Sequence, residues 1–175
     1  MTQKISFPEN GHANCLEIEE NSFWFRHRNQ IIVEMMRLCS PSGPVYDVGG
    51  GNGYVSLGLE NAGFPVLLVE PGAEGVKNAR ARGIASILPT TLDQAALQDH
   101  SLDAVGIFDV LEHIENEASF LSGIHHKLKP DGKLYITVPA YPWLWSYEDK
   151  ITGHFRRYTL GTLTAVLRRH GFAIE

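Results

Sequence analysis

Seven residues, Asp47-Val-Gly-Gly-Gly-Asn-Gly53, carry the first recognisable chemistry in the chain. They close a short apolar run, Val45 to Val48, and a helical pattern begins at Tyr54, so a strand feeds a glycine turn that opens a helix. Glycine has no Cβ, which lets a ligand press against bare backbone and admits positive φ. A nucleotide-like ligand is the expectation. A dinucleotide fingerprint needs a glycine three residues after the second of its pair, so that a pyrophosphate can sit on the helix N-terminus. Counted from Gly49 and Gly51, that position is Tyr54, which argues against NAD and FAD. Asp47 makes the same point electrostatically, since an anion repels a pyrophosphate and attracts a cationic group. Glu70 ends the next apolar run, and its two carboxylate oxygens can accept from both hydroxyls of a cis-diol.

Two later segments add candidates. Asp109-Val-Leu-Glu-His113 leaves the carboxyl end of an expected strand, where ligands bind in open α/β sheets. His113 either faces that site or is a buried residue bonded to a loop carbonyl. Glu112 reads as a helix N-terminal carboxylate that stabilises the dipole by about 0.3–1 kcal/mol. Further on lie Ala140-Tyr-Pro-Trp-Leu-Trp-Ser-Tyr-Glu-Asp149 and Gly153-His-Phe-Arg-Arg-Tyr158. Aromatic residues in an irregular connection over strand ends suit a substrate pocket or lid, so Tyr141, Trp143 and Trp145 are expected at the acceptor. His154 either takes a proton from an acceptor hydroxyl or amine, or joins Arg156 in tying the loop to Glu148 or Asp149. Arg156 and Arg157 are candidates for a substrate carboxylate or phosphate. As a catalytic base His154 ranks first and His113 second. Glu112, His113 and His154 could in principle share a divalent ion, but the sequence shows no compact ligand spacing and no metal is expected.

From about Phe23 to its end the chain resembles the class I S-adenosylmethionine-dependent methyltransferases that act on small molecules. The most specific parts are Asp47 to Gly53, Val69-Glu-Pro71, Phe108-Asp-Val-Leu-Glu-His113 and Leu128-Lys-Pro-Asp-Gly-Lys-Leu134. The resemblance implies S-adenosylmethionine as cofactor, S-adenosylhomocysteine as product, and methyl transfer to an O, N or C atom of a small-molecule acceptor. It places Asp47, Gly49, Gly50, Gly51, Asn52 and Gly53 around the methionine part of the cofactor. Glu70, with Pro71 beside it, matches the acidic residue that binds the ribose hydroxyls. Thr91, with Leu92 beside it, stands where many relatives carry an acidic contact to the adenine amino group, and Asp93 is a second candidate for that contact. Phe108 and Asp109 fall near the cofactor, and His113 faces the departing methyl group. Phe23-Trp-Phe-Arg-His-Arg28 resembles a helix that closes over the cofactor, although packing against the core is the commoner use of such a helix. Methyl transfer is an in-line displacement that needs alignment more than a dedicated nucleophile, which suits the lack of a catalytic triad. Two other classes remain open: a protein that binds the cofactor without catalysis, and an NAD-dependent oxidoreductase, which conflicts with Tyr54 and Asp47.

The elements that must position these residues alternate between helical periodicity and short apolar runs, the signature of an open, mostly parallel twisted sheet with helices on both faces. The pattern predicts a loose leader over 1–20 and a single cofactor-binding domain over 21–175. A helix is expected over about 22–39, capped by Ser22 or Asn21, with Trp24, Ile31, Met35 and Leu38 inward. Strands follow at 45–48, 66–69, 84–88, 102–108 and 134–138. Helices are expected at about 54–62 and 74–82, along the stripe from Ile114 to Leu128, and over 159–170, with Gly63, Gly83 and Gly171 as stops. The stretch 89–100 is the least legible. A family member would continue past Glu175 into a sixth strand and an antiparallel seventh, so either the sequence is truncated or a second copy covers the fifth strand's edge as a homodimer.

Composition narrows the partners. Among 175 residues, fifteen Lys plus Arg against twenty Asp plus Glu leave −5 with no long run of either sign, which argues against a nucleic-acid partner. No apolar stretch approaches a membrane span. No secretion signal follows Met1, and Cys15 and Cys39 read as reduced thiols of a cytoplasmic protein.

Overall fold

In the computed structural model, which describes Phe7, Pro8 and residues 11–175, five parallel strands form one sheet in the order β3-β2-β1-β4-β5. They are β1 (Val45–Val48), β2 (Val66–Val69), β3 (Ile87–Leu88), β4 (Leu102–Phe108) and β5 (Leu128–Thr137). The helices are α1 (Gly11–Glu19), α2 (Phe23–Leu38), α3 (Tyr54–Asn61), α4 (Ala73–Ala81), α5 (Glu117–Lys127), α6 (Tyr147–Ile151) and α7 (Leu160–Arg169). β1 pairs with β2 from Val45↔Val66 to Val48↔Val69, and on its other side with β4 from Val45↔Ala104 to Asp47↔Gly106. Strand order therefore reverses between β1 and β4, and in open α/β sheets ligands bind at the carboxyl ends of strands at such a switch point.

Helices cover both faces. Val105, Ile107, Leu121, Ile124 and Leu167 are buried together on one side, and Ile32, Met36, Val45, Leu59 and Ala104 on the other. β4 is buried at every residue except Asp103, which is why its sequence is almost wholly apolar. β1, β2 and β4 have the bounds expected from sequence. β3 is only two residues, because Ile84 packs instead into the small cluster with Leu68 and Ala79. β5 starts six residues earlier than expected: Leu102 pairs with Leu128 and Ala104 with Lys133, so Lys129–Gly132 bulges out of the ladder. Gly63, Gly83 and Gly171 take positive φ at the ends of α3, α4 and α7.

Two helices differ from expectation. Residues 11–19 form α1, packed on α2 and α4, where the sequence pattern predicts a loose leader; the remainder of that leader lies outside the described residues except for Phe7, Pro8 and Glu20. Ser22 does cap α2, accepting from the Trp24 N–H at 3.2 Å. The buried stripe of α2 is Ile32 and Met36, whereas Trp24, Ile31 and Leu38 are 60%, 54% and 86% exposed. Polar contacts set that rotation. Arg28 pairs with Asp109 at 2.7 Å and Asn29 donates to the Tyr54 carbonyl at 3.0 Å, so the inward face runs through 28, 29, 32 and 36. α5 begins at Glu117 with Phe120, Leu121 and Ile124 buried, leaving Ile114 ahead of the helix and Ala118 exposed.

Candidate active site

β1 delivers Asp47 to the switch point with no exposed surface. The Ser56 hydroxyl, from the buried face of α3, donates to Oδ2 at 2.6 Å, and Oδ1 has no hydrogen-bond partner. Burial, the largest influence, pushes the carboxyl pKa up to about 6, against the opposing effects of Ser56 and of Arg28. The turn that follows must be bare. A Cβ on Gly50 would stand 2.5 Å from Asp47 Oδ2 and from Leu68 Cδ1, and Gly51 takes φ 55°, which turns its N–H onto Glu70 Oε2 at 2.9 Å.

Glu70, at the end of β2, is also buried, and its Oε1 accepts from the Gly72 N–H at 2.6 Å. A carboxylate has about four lone-pair sites, so two backbone donors orient it and leave capacity for a diol. Asp109, just past β4, adopts φ 57°, which Asp tolerates better than most residues. It is held by Arg28 and by the Thr137 hydroxyl, which donates to its Oδ1 at 2.9 Å.

These strand ends enclose a cavity of about 440 Å³. Asp47, Gly49, Gly50, Gly51 and Asn52 line it, as do Glu70, Pro71, Thr91, Leu92, Phe108, Asp109 and His113. Asn52 reaches it while tying its surroundings together, donating to the His12 carbonyl at 2.8 Å and accepting from Asn78 at 3.0 Å. Gly53 does not line the cavity; a Cβ there would meet Ala79 and Ile84 at 3.1 Å, so its bareness serves the packing of α3 against α4. At the fork between Thr91 with Leu92 and Asp93, the first two face the cavity and Asp93 is exposed.

The far end of the cavity is histidine-rich. His113 is buried, and its ring stands 4.7 Å from that of His154, centroid to centroid. Burial, the largest influence, and the neighbouring His154 push the His113 pKa down to about 4, against the backbone of Gly153 and Thr152. His154 lies behind His113 and off the cavity, with Nδ1 2.8 Å from Asp149 Oδ1. Asp149 has no exposed surface and also receives Arg157 Nε at 2.6 Å, Arg157 Nη2 at 2.9 Å and the Ser146 N–H at 2.7 Å. Arg157 above all holds its carboxyl well below the usual carboxylate range.

Glu112 departs from its expected role. It sits in a 3₁₀ turn five residues ahead of α5, fully buried, and neither of its carboxylate oxygens accepts a hydrogen bond. Burial first, then Asp109, raises its pKa to about 8. Glu112, His113 and His154, which show no compact ligand spacing in the sequence, each place one donor atom within 4.8 Å of the others.

The expected acceptor contacts do not gather at the cavity. Tyr141, Trp143 and Trp145 are 49%, 76% and 39% exposed and lie outside its wall. A bridge between Ala140 and Tyr158, with the Tyr141 N–H donating to the Tyr158 carbonyl at 2.7 Å, pins the loop's base and leaves these rings at the surface. Arg156 pairs with Glu117 at 3.0 Å and Arg157 with Asp149, so both guanidinium groups serve the loop. Wall residues that sequence reasoning passed over come from the N-terminal side. Phe7 packs edge-on to His113 at 5.3 Å, and α1 contributes His12, Cys15 and Glu19, with Glu19 paired to Arg82 at 2.7 Å. Arg28 of α2, paired with Asp109, also lines the cavity.

A family model described as a methyltransferase domain matches residues 22–175. The chain belongs to the class I S-adenosylmethionine-dependent methyltransferases. It is 25% identical over 173 residues to a protein of Mycolicibacterium smegmatis named as a probable S-adenosylmethionine-dependent methyltransferase, covering 97% of this chain and 67% of that one. It is 33% identical over 108 residues to a ubiquinone biosynthesis O-methyltransferase of Xanthomonas oryzae, covering 58% of this chain and 45% of that one. The chain thus spans about half to two thirds of the length of these relatives. The fold matches a methyltransferase of Thermotoga maritima with a TM-score of 0.74 at 19% identity, over 94% of this chain and 77% of that one. It also matches a phosphoethanolamine N-methyltransferase of Haemonchus contortus, in complex with S-adenosylhomocysteine, with a TM-score of 0.72 at 19% identity, over 94% of this chain and 42% of that one. No described helix is long and apolar enough to cross a membrane.

The wall of this methyltransferase domain fits the family's cofactor. A buried carboxylate oxygen without a partner, Asp47 Oδ1, suits an ammonium group, the bare turn admits close approach, and Glu70 keeps acceptor capacity for ribose hydroxyls.

Proposed function

We propose that this chain transfers a methyl group from S-adenosylmethionine to an O, N or C atom of a small molecule, with Asp47 and the Gly49–Gly51 turn on the methionine end, Glu70 on the ribose and Thr91 with Leu92 toward adenine. The observation that carries the reading is the pair of buried carboxylates, Asp47 and Glu70, on either side of a side-chain-free turn in one cavity. Bound cofactor supplies an electrophilic methyl on a sulfonium. An electron pair of the acceptor would form the new bond to the methyl carbon as the carbon–sulfur bond breaks, with the bonding pair left on sulfur and any proton on the reacting O, N or C atom passing to a base or to water.

What the chain's own residues contribute is orientation and exclusion of water, which can be worth several kcal/mol. Phe108, Asp109 and Arg28 lie along the same wall, and Phe7 closes over His113. Activation of the acceptor falls to the histidine end: His113 touches the cavity, and His154, oriented by Asp149, backs it. The exposed Trp143 and the paired Arg156 and Arg157 support the loop and carry no acceptor contact. Two cysteines without a disulfide, Cys15 and Cys39, suit a reducing cytoplasm.

Incubation with methyl-labelled S-adenosylmethionine and a metabolite extract tests the reading. Label should appear in a small molecule, and His113→Ala should reduce its rate at least about tenfold, in the range that general acid–base groups supply, while S-adenosylhomocysteine still binds. Cofactor binding without any label transfer would leave a binding protein and refute the enzymatic reading.

A further inference from the structure

We propose that Glu112, His113 and His154 form a binding site for one divalent transition-metal ion of the zinc class, at the acceptor end of the cavity. The three donors come from two segments, with 42 positions between Glu112 and His154, yet one ligand atom from each lies within 4.8 Å of the others. Two imidazoles and a carboxylate are a donor set that zinc accepts, leaving a further coordination position for water or substrate. An ion with bonds of about 2.0–2.2 Å needs donors about 3.4 Å apart, so no pair has to close by more than about 1.4 Å.

Glu112 is an independent pointer. Its carboxyl has no exposed surface and both oxygens lack a hydrogen-bond partner, although a buried polar group without a partner carries a cost of roughly 2–7 kcal/mol. Arg28, whose charge acts on Glu112, is engaged with Asp109, and Arg157 is engaged with Asp149. Both guanidinium groups are shared with neighbouring carboxylates, and a cation among Glu112 and the imidazoles would give the two Glu112 oxygens a partner that no hydrogen bond provides.

The surroundings also have the form of a metal site's outer layer. Metal-bound histidines usually donate their other ring nitrogen to a carboxylate or a backbone carbonyl, which fixes ring and tautomer. His154 meets Asp149 through Nδ1, leaving Nε2 for the ion, and Asp149 is itself fixed by Arg157 and Ser146. His113 lines the cavity, so the open coordination position faces the acceptor. An acceptor hydroxyl entering it would lose its proton more readily, as metal-bound water does. That last step rests on the methyl-transfer reading, whereas ion binding does not.

The test is therefore made without S-adenosylmethionine. The native chain is dialysed against Zn²⁺ and the bound ion is counted by emission spectroscopy. One ion per chain is expected, with Glu112→Gln and His154→Gln each weakening binding at least about tenfold and Asp149→Asn weakening it about 10-fold or more. His126→Ala, which alters the surface pair of His126 with Asp99, should leave the count unchanged. No stoichiometric zinc, or zinc that survives both Glu112→Gln and His154→Gln or is lost with His126→Ala, would overturn the proposal. Should a variant fail to fold, Co²⁺ added to the native chain decides: a visible spectrum changed from that of the aqueous ion supports the site, and an unchanged one overturns it.

Discussion

Replacing Asp47 by Asn separates what the site does for the protein from what it does for the ligand. Asn is the same size, and its side-chain oxygen can still accept from Ser56, so the packing around 47 survives. What disappears is a buried negative charge. The folded carboxyl titrates at about 6 against an ordinary 3.8, chiefly because burial disfavours the ion. A folded pKa above the unfolded one means that the native state binds more protons between those values. Stability should accordingly fall as pH rises from about 4 to about 6, and the loss is complete above that. At 1.36 kcal/mol per pH unit, the gap corresponds to a loss on the order of 3 kcal/mol at pH 7. Asp47→Asn should thus raise unfolding free energy at pH 7 by up to about 3 kcal/mol and leave it nearly unchanged at pH 4, read from urea denaturation at both values. The cost is recovered on binding if an ammonium meets the carboxylate, so S-adenosylhomocysteine should raise the midpoint of the native chain and have little effect on the variant. A variant less stable at pH 7, or equally stabilised by the ligand, would refute the reasoning.

Gly50→Ala places a methyl against two fully buried side chains, and it should destabilise the chain by about 1–3 kcal/mol in urea denaturation; an unchanged midpoint would show that the turn has room to spare. Trp143→Ala removes a ring that is 76% exposed and lies outside the cavity, so label transfer should stay within about twofold of the native rate, as surface substitutions usually change little. A loss comparable to that of His113→Ala would return the aromatic loop to the acceptor site.

How much of this was legible beforehand followed how strongly local chemistry dictated it. β1, β2 and β4 are buried on both faces, so their apolar runs mark their own ends. Asp47, the glycines after it and Glu70 are legible because backbone bareness and a carboxylate closing an apolar strand leave marks in the sequence. α1 left none: Gly-His-Ala-Asn-Cys-Leu-Glu-Ile-Glu has no clear apolar stripe, and its place is secured by polar contacts, Glu19 to Arg82 and Asn52 to the His12 carbonyl. The rotation of α2 was hidden for a similar reason, since Ile31-Ile-Val and Met35-Met36 offer two adjacent apolar stripes and the choice between them is made by Arg28 and Asn29. The outward placement of the aromatic loop was not legible, because aromatic residues in a loop suggest a pocket whereas the bridge at Ala140 and Tyr158 leaves these rings at the surface. Glu112, His113 and His154 meet only through tertiary contact, which no local spacing encodes.

The central claim is that the Asp47, Gly49–Gly51 and Glu70 wall grips S-adenosylmethionine, and calorimetric titration of the folded native chain with S-adenosylhomocysteine tests it most directly. The account predicts one saturable site whose binding is severely weakened in Glu70→Leu. Absence of binding heat across a range of temperatures, or full affinity in that variant, would contradict it.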